Sequence, residues 1–219
     1  MLKNLFTLCL LNLMVSPLWA AERTGQARLF LGSTQVSPSQ LNTELAAQGL
    51  KKVDLNNQLG MEVTFPLNDT ISYGLRYNRR LISQDELNSD PTTDYKVQVD
   101  QDVMAGVLRI NALKHDFVRL DAVLGIGGSN TEYKIKTATQ DGSLTKKGTP
   151  AAALYTTAGV SLSLGAGKYF FVVEGGYEQN KVDGFDKSGT MNSNVDTLDF
   201  TGGYFSLGFM FDGIPIFTK

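Results

Sequence analysis

The sequence predicts an all-β fold: an eight-stranded antiparallel up-and-down transmembrane β-barrel. Three observations carry this. Apolar and polar residues alternate with a period of two along successive segments, which is the strand signal. The polar face of those segments carries charges of both signs together with Gly and Ser, a set that the apolar interior of a soluble lipocalin-type barrel would not hold. The connections alternate between short turns and long polar loops, as expected for a barrel with one periplasmic and one extracellular end.

The clearest strand is 55–65, where Leu55, Leu59, Met61, Val63 and Phe65 share one face and Asn56, Gln58, Gly60, Glu62 and Thr64 the other. After a turn at Pro66–Asp69, Ile71, Tyr73, Leu75 and Tyr77 alternate with Ser72, Gly74, Arg76 and Asn78. These two runs predict a hairpin. Further strands are expected at 26–36, with Arg28 and Gly32 on the polar side, and at 117–129, with Arg119 and Asp121 opposite Val118, Leu120 and Leu124. The segment 152–165 sets Leu154, Val160, Leu162 and Leu164 against Gly159, Ser161 and Ser163; 169–181 sets Tyr169, Phe171, Val173 and Tyr177 against Val172, Glu174, Gly176 and Glu178. The last strand, 197–211, places Phe205, Leu207, Phe209 and Phe211 toward lipid, with a parity change expected as a bulge at Gly202-Gly203. Residues 95–112 leave two parities open, because Val103 and Val107 compete with Met104, Leu108 and Ile110 for the apolar face.

Turns at Pro66–Asp69, Lys114–Asp116 and Gly165–Lys168 are short, whereas 37–54, 83–94, 136–150 and 182–195 are long and polar. Phe65, Phe117, Tyr169, Phe171, Phe209 and Phe211 gather near the short turns and Tyr77, Tyr95 and Tyr177 near the long loops, the two aromatic belts expected at membrane interfaces. In the first long loop, Ser37-Pro38-Ser39-Gln40 has the form of a capping box, and Leu41, Leu45 and Gly49 complete a short helix; a binding element is the sharper reading and a helix that orders the loop the plainer one.

The first twenty residues form a separate unit, 1–20. Lys3, the apolar run Leu5–Val15 and Ser16-Pro17-Leu18-Trp19-Ala20 make a secretory signal peptide, with cleavage expected after Ala20 or Ala21. Cys9, the chain's one cysteine, would leave with it, so the barrel domain 21–219 is expected to hold no disulfide. Residues 212–219 are expected to hang in the periplasm as a tail, since Asp212-Gly213 ends the alternation and Pro215 cannot donate to a ladder. A formal charge of −2 offers no basic excess for a nucleic-acid partner.

Inside the barrel, Arg28, Arg76 and Arg119 are expected to pair with Glu62, Asp121, Glu174 and Glu178. His115, the one histidine, lies beside Asp116; a catalytic pair is the sharper reading and an exposed turn residue the plainer one. Gly125-Ile-Gly-Gly128 lacks the helix that a phosphate loop needs. The acidic group Asp85, Glu86, Asp90, Asp94, Asp100 and Asp102 reads as a solvated loop flank rather than a cation site, because no loop motif fixes carboxylate geometry. Lys51/Lys52, Lys134/Lys136 and Lys146/Lys147 are candidate contacts for lipopolysaccharide phosphates. No catalytic, cofactor or metal site is expected.

The segments Phe117-Val-Arg-Leu-Asp-Ala-Val-Leu-Gly-Ile-Gly-Gly128 and Gly203-Tyr-Phe-Ser-Leu-Gly-Phe-Met-Phe211 resemble strands of the small outer-membrane barrel families, the OmpX-like, Opa-like and OmpA-barrel group. The resemblance implies outer-membrane localisation in a Gram-negative envelope, outer-membrane lipid and lipopolysaccharide as surroundings, and barrel-assembly machinery and periplasmic chaperones as biogenesis partners. The closing strand resembles that group's assembly signal, which ordinarily ends the chain on an aromatic; here Asp212–Lys219 follows Phe211. No peptidoglycan-binding domain is expected after it. The expected function is a non-catalytic, monomeric structural or surface barrel, with roles in adhesion or envelope integrity. The alternatives are a narrow pore for small solutes and an outer-membrane lipid-modifying hydrolase.

Overall fold

A computed structural model describes residues 24–47, 51–86, 95–136, 141–146, 153–189 and 194–215. The expected signal peptide, and with it Cys9, lies outside the described residues, as do Gly49, Asp90 and Asp94.

The elements in chain order are β1 (Thr24–Gln35), α1 (Ser39–Ala47), β2 (Leu55–Pro66), β3 (Ile71–Glu86), β4 (Tyr95–Lys114), β5 (Val118–Lys136), β6 (Asp141–Lys146), β7 (Leu154–Ala166), β8 (Tyr169–Asp183), β9 (Asp186–Gly189), β10 (Thr197–Asp199) and β11 (Gly202–Pro215). Eight of the strands, β1, β2, β3, β4, β5, β7, β8 and β11, pair antiparallel in that order, and β11 pairs with both β8 and β1. The cylinder is thereby closed and presents no open edge to another chain. Three short strands lie beyond the cylinder at the long-loop end: β6 folds back on β5, β9 on β6, and β10 on β8. The loops expected at 136–150 and 182–195 thus contain strands of their own.

The two-residue alternation sorts side chains to the two faces of the wall. Leu31 is 63% exposed and Phe209 61%, and Leu59, Met61, Leu75, Met104, Leu124, Val160, Leu207 and Phe205 are also exposed. Arg28, Glu62, Arg76, Arg109, Asp121, Glu174 and Glu178 are buried. A water-soluble protein buries its apolar side chains and exposes its charges; this one does the reverse around its circumference. The exterior requires lipid. At the short-turn end, Tyr169 packs edge-on against Phe211, with centroids 5.6 Å apart, and Phe171 against Phe209 at 5.8 Å, forming the lower aromatic belt across β8 and β11.

The open parity of 95–112 is resolved in favour of Val103, Ala105, Val107 and Arg109 inside, with Met104, Leu108 and Ile110 on the lipid face. The strand absorbs an irregularity between Asn111 and Leu113, next to the turn.

Two expectations for the closing strand are corrected. No register shift occurs at Gly202-Gly203; it lies instead between Gly25 and Gln26, opposite Gly213, whose φ of 87° is open to glycine at little cost. The tail does not begin at residue 212. Asp212 pairs with Gln26 and Ile214 with Gly25, because the bulge at Gly213 takes up the lost alternation and returns Ile214 to the exposed face. The strand runs on to Pro215.

The long-loop end has an apolar core of its own. Leu41 and Leu45 of α1 are fully buried in one cluster with Ile82 of β3, Val97 and Val99 of β4, Tyr133 of β5, Val182 of β8, Leu198 of β10 and Phe200. Residues from so many points around the circumference can meet only across the bore, so this cluster caps it. The Asn42 side chain donates to Val53 O and accepts from Val53 N–H, at 2.9 and 2.7 Å. The expected capping box takes a different form: Gln40 Oε1 accepts from the backbone N–H groups of Asp196 and Thr197, both at 2.8 Å. It ties two loops together instead of closing on its own helix.

Candidate functional site

Inward alternation on β1, β2, β3, β4 and β8 delivers five ionised side chains to one level of the bore. Glu62 accepts from Arg28 Nη1 at 2.8 Å, from Arg76 Nε at 2.8 Å, and from Arg109 through Nε and Nη2. Glu174 lies 2.8 Å from Arg76 Nη2, accepts from Arg109 Nη2 at 2.7 Å, and takes the Tyr204 hydroxyl at 3.0 Å. Asp121 sits at the lower margin, 3.5 Å from Arg28 Nη2 and 3.7 Å from Arg109 Nη1, and accepts from Asn111 Nδ2 at 2.9 Å. Three guanidinium groups thus face three carboxylates. Glu62 is 1% and Arg76 3% exposed, so each charge depends on these partners for what water would otherwise supply.

Close packing around the lattice requires small neighbours. Phe30 lies under Arg76, whose guanidinium carbon is 5.2 Å from the ring centroid. A Cβ on Gly60 would collide with that ring and with Asn78. The polar face is rich in glycine because side chains from opposite walls must share an eight-stranded bore.

A second polar layer lies toward the cap. Glu178 accepts from Arg80 Nη2 at 2.6 Å, Thr34 Oγ1 at 2.8 Å and Tyr155 Oη at 3.2 Å. Gln101 accepts from Arg80 and Asn180 and donates to Thr131. Of the residues expected in the lumen, Arg28, Glu62, Arg76, Asp121 and Glu174 meet in the main lattice, and Glu178 belongs to this upper layer.

Arg119 is placed differently from its expected pairing. It reaches Asp212 Oδ2 at 2.6 Å at the short-turn end, with its guanidinium 4.1 Å from the Phe170 ring centroid. Its partner comes from the segment expected to be free tail.

Arg109 and Arg80 were not among the expected lumen residues. Arg109 belongs to the strand whose parity was open, and one Arg on the same parity as Val103 and Val107 would have chosen the face. Arg80 continues the Arg76–Asn78 alternation by one step, past the strand end expected from sequence. The four closing-strand residues Phe205, Leu207, Phe209 and Phe211 are exposed on the outer wall.

His115 lies in the β4–β5 turn, where its ring packs edge-on against Phe117 with centroids 4.4 Å apart and its backbone N–H donates to Val118 O. Of the acidic group, Asp100 and Asp102 are paired on the outer wall: Arg79 reaches Asp102 at 3.2 Å, and Lys134 lies 3.9 Å from Asp100 and 2.7 Å from Glu132. The Glu132 hydrogen bond raises the Lys134 ammonium above its ordinary pKa. Among the described residues no cluster of three or more His, Cys, Asp or Glu could hold a metal ion.

No protein-family model and no curated protein matches the sequence. Solved structures do. The Yersinia pestis attachment invasion locus protein Ail, in complex with the heparin analogue sucrose octasulfate, is 13% identical over 88% of this chain and 99% of its own, with a TM-score of 0.53. The Pseudomonas aeruginosa outer membrane protein OprG is 12% identical over 89% of this chain and 97% of its own, with a TM-score of 0.52. At such identities the likeness is one of fold. Together with an exterior that demands lipid, it gives this chain the fold of the small eight-stranded outer-membrane β-barrels.

Proposed function

We propose that the protein is a non-catalytic, monomeric structural and surface barrel, plugged along its bore, that holds an extracellular β-structure rigidly above the outer membrane for attachment or envelope integrity. The observation that carries this reading is the filled interior: a charged lattice, a second polar layer and an apolar cap succeed one another from the short turns to the long loops. A filled bore offers no free path to a solute, which disfavours the pore. The lone histidine sits in a short turn, which disfavours a hydrolase acting at the outer leaflet. The extensions of β3, β4 and β5, with β6, β9 and β10, give the long-loop end a folded platform rather than bare loops. A neighbour of the same fold, Ail, bears the name of an attachment protein, which favours the surface role. Lipopolysaccharide is the proposed neighbour of the outer wall, met by Arg79 and Lys134.

The test uses cells carrying the wild-type chain, no chain, or a chain whose segments 137–140 and 190–193 are replaced by Gly-Ser segments. Loss of surface attachment with the replaced segments, and of attachment or detergent resistance without the chain, is the expected result. Unchanged attachment and unchanged detergent resistance in the strain lacking the chain would overturn the reading.

A further inference from the structure

The first and last strands, β1 and β11, close the cylinder. The hairpins β2–β3, β4–β5 and β7–β8 are each tied at the lower end by a short turn, which fixes their register. β1 and β11 share no turn. Their pairing steps by one residue at Gly213 and continues to Gly25–Ile214 and Thr24–Pro215. By then β11 has left its other neighbour: its pairs with β8 end at Phe211 and Tyr169, followed by one bond from Asp212 N–H to Lys168 O at 2.8 Å. The segment below the bulge is therefore a two-stranded ribbon at the rim. A bulge interrupts the ladder, and strand ends with few bonds open first. Pro215 has no N–H to add.

One contact holds this segment from across the bore. Asp212, the last inward residue before the bulge, lies 2.6 Å from Arg119 Nη2. Arg119 stands on β5, and both β7 and β8 separate that strand from β11. Its guanidinium carbon rests 4.1 Å from the ring centroid of Phe170 on β8. The lattice arginines share their acids, since Arg28 and Arg76 each reach two carboxylates and Arg109 three. Arg119 reaches Asp212 alone among the described residues. It is buried, and its Nε and Nη1 find no acceptor. A buried ion with a single counter-charge holds that partner strongly, because losing it strands the charge.

The facing strand is fastened at the same level. Gln26 pairs with Asp212 across the seam and accepts from Arg28 Nη2 at 2.8 Å. Arg28 is in turn bound to Glu62 and Thr64 of β2. Just above the bulge, β1 is thus tied to β2 and β11 to β5.

We propose that Arg119 is a strap across the bore that keeps the closing seam zipped at its short-turn end. By gripping Asp212 it seats the bulge at Gly213 and holds Gly25–Ile214 and Thr24–Pro215 together. Arg119 acts here as a positioning residue, through Asp212. Without the strap the seam opens from the rim upward, while the hairpins, tied by their own turns, stay paired.

The experiment measures backbone amide hydrogen exchange, residue by residue, in the refolded mature protein in detergent micelles. Wild type is compared with Arg119→Gln, Asp212→Asn and the double variant. The expected result is exchange about tenfold faster at 24–27 and 211–214, the equivalent of one charge-assisted hydrogen bond. Exchange in the β2–β3 hairpin should stay as in wild type, and the double variant should exceed neither single one. Heat-modifiable migration checks folding. If Arg119→Gln does not fold, Asp212→Asn, which removes the charge at the rim and keeps the side chain's size, carries the test. Unchanged exchange at the seam end overturns the proposal. So does an equal rise in the β2–β3 hairpin, which would mark a general loosening, or additive effects of the two substitutions.

Discussion

Arg109 shows what a single residue does in this lumen. It bridges Glu62 and Glu174, acids that enter from β2 and β8, and so fastens separate walls to one another. Arg109→Leu leaves both carboxylates short of a partner, and removing one member of a buried ion pair typically costs about 3–5 kcal/mol. Urea unfolding in lipid vesicles should show a loss of that order, and adding Glu174→Gln should cost less than the sum of the single effects. Strict additivity would mean that the two do not interact. Arg79→Ala is the contrast. Arg79 pairs with Asp102 on the outer wall, where solvent and salt screen the attraction, and its removal should leave the unfolding midpoint unchanged.

At the scale of the element, β11 is the informative strand, because it closes the cylinder. Leu207 lies midway along its lipid face, paired with Leu31 and Val173, and Phe211 lies at the lower belt. An Arg near the membrane midplane costs about 2–4 kcal/mol and much less at an interface, so Leu207→Arg should destabilise more than Phe211→Arg. Equal losses would misplace the strand in the bilayer. Truncation after Pro215 should leave outer-membrane assembly intact. Truncation before Asp212 should lower stability, because it removes the Arg119 partner and the last pairs with β1; equal stability of the two truncations would contradict the strand's observed end. The same strand marks how far the sequence could be read. Period-two alternation revealed Phe205 to Phe211 directly, as it did Glu62, Arg76 and Glu174. It failed at Asp212-Gly213, where a bulge mimics a strand end, and in β4, where valines occupy interior positions beside lipid-facing Met104 and Leu108. Small apolar side chains fit either face, and only a charge such as Arg109 distinguishes them.

For the whole molecule, the polar bore and the apolar exterior were legible in the sequence, and the cap was not. Its members, among them Val36, Leu41, Val53, Ile82, Tyr133, Leu198 and Phe200, are scattered over distant segments with no shared periodicity, and only folding brings them together. Leu41→Asp should place an unpaired charge in that cluster, loosening the long-loop end. Faster proteolysis there, with heat-modifiable migration retained, would register it; unchanged proteolysis would deny α1 its place in the cap. The account turns on the claim that lattice, upper layer and cap together leave the barrel closed. Single-channel recording of the refolded mature protein in planar bilayers tests this most directly. The account predicts a silent membrane at every voltage tried. A steady ohmic current through the wild-type protein, altered in size by Arg109→Leu, would contradict it.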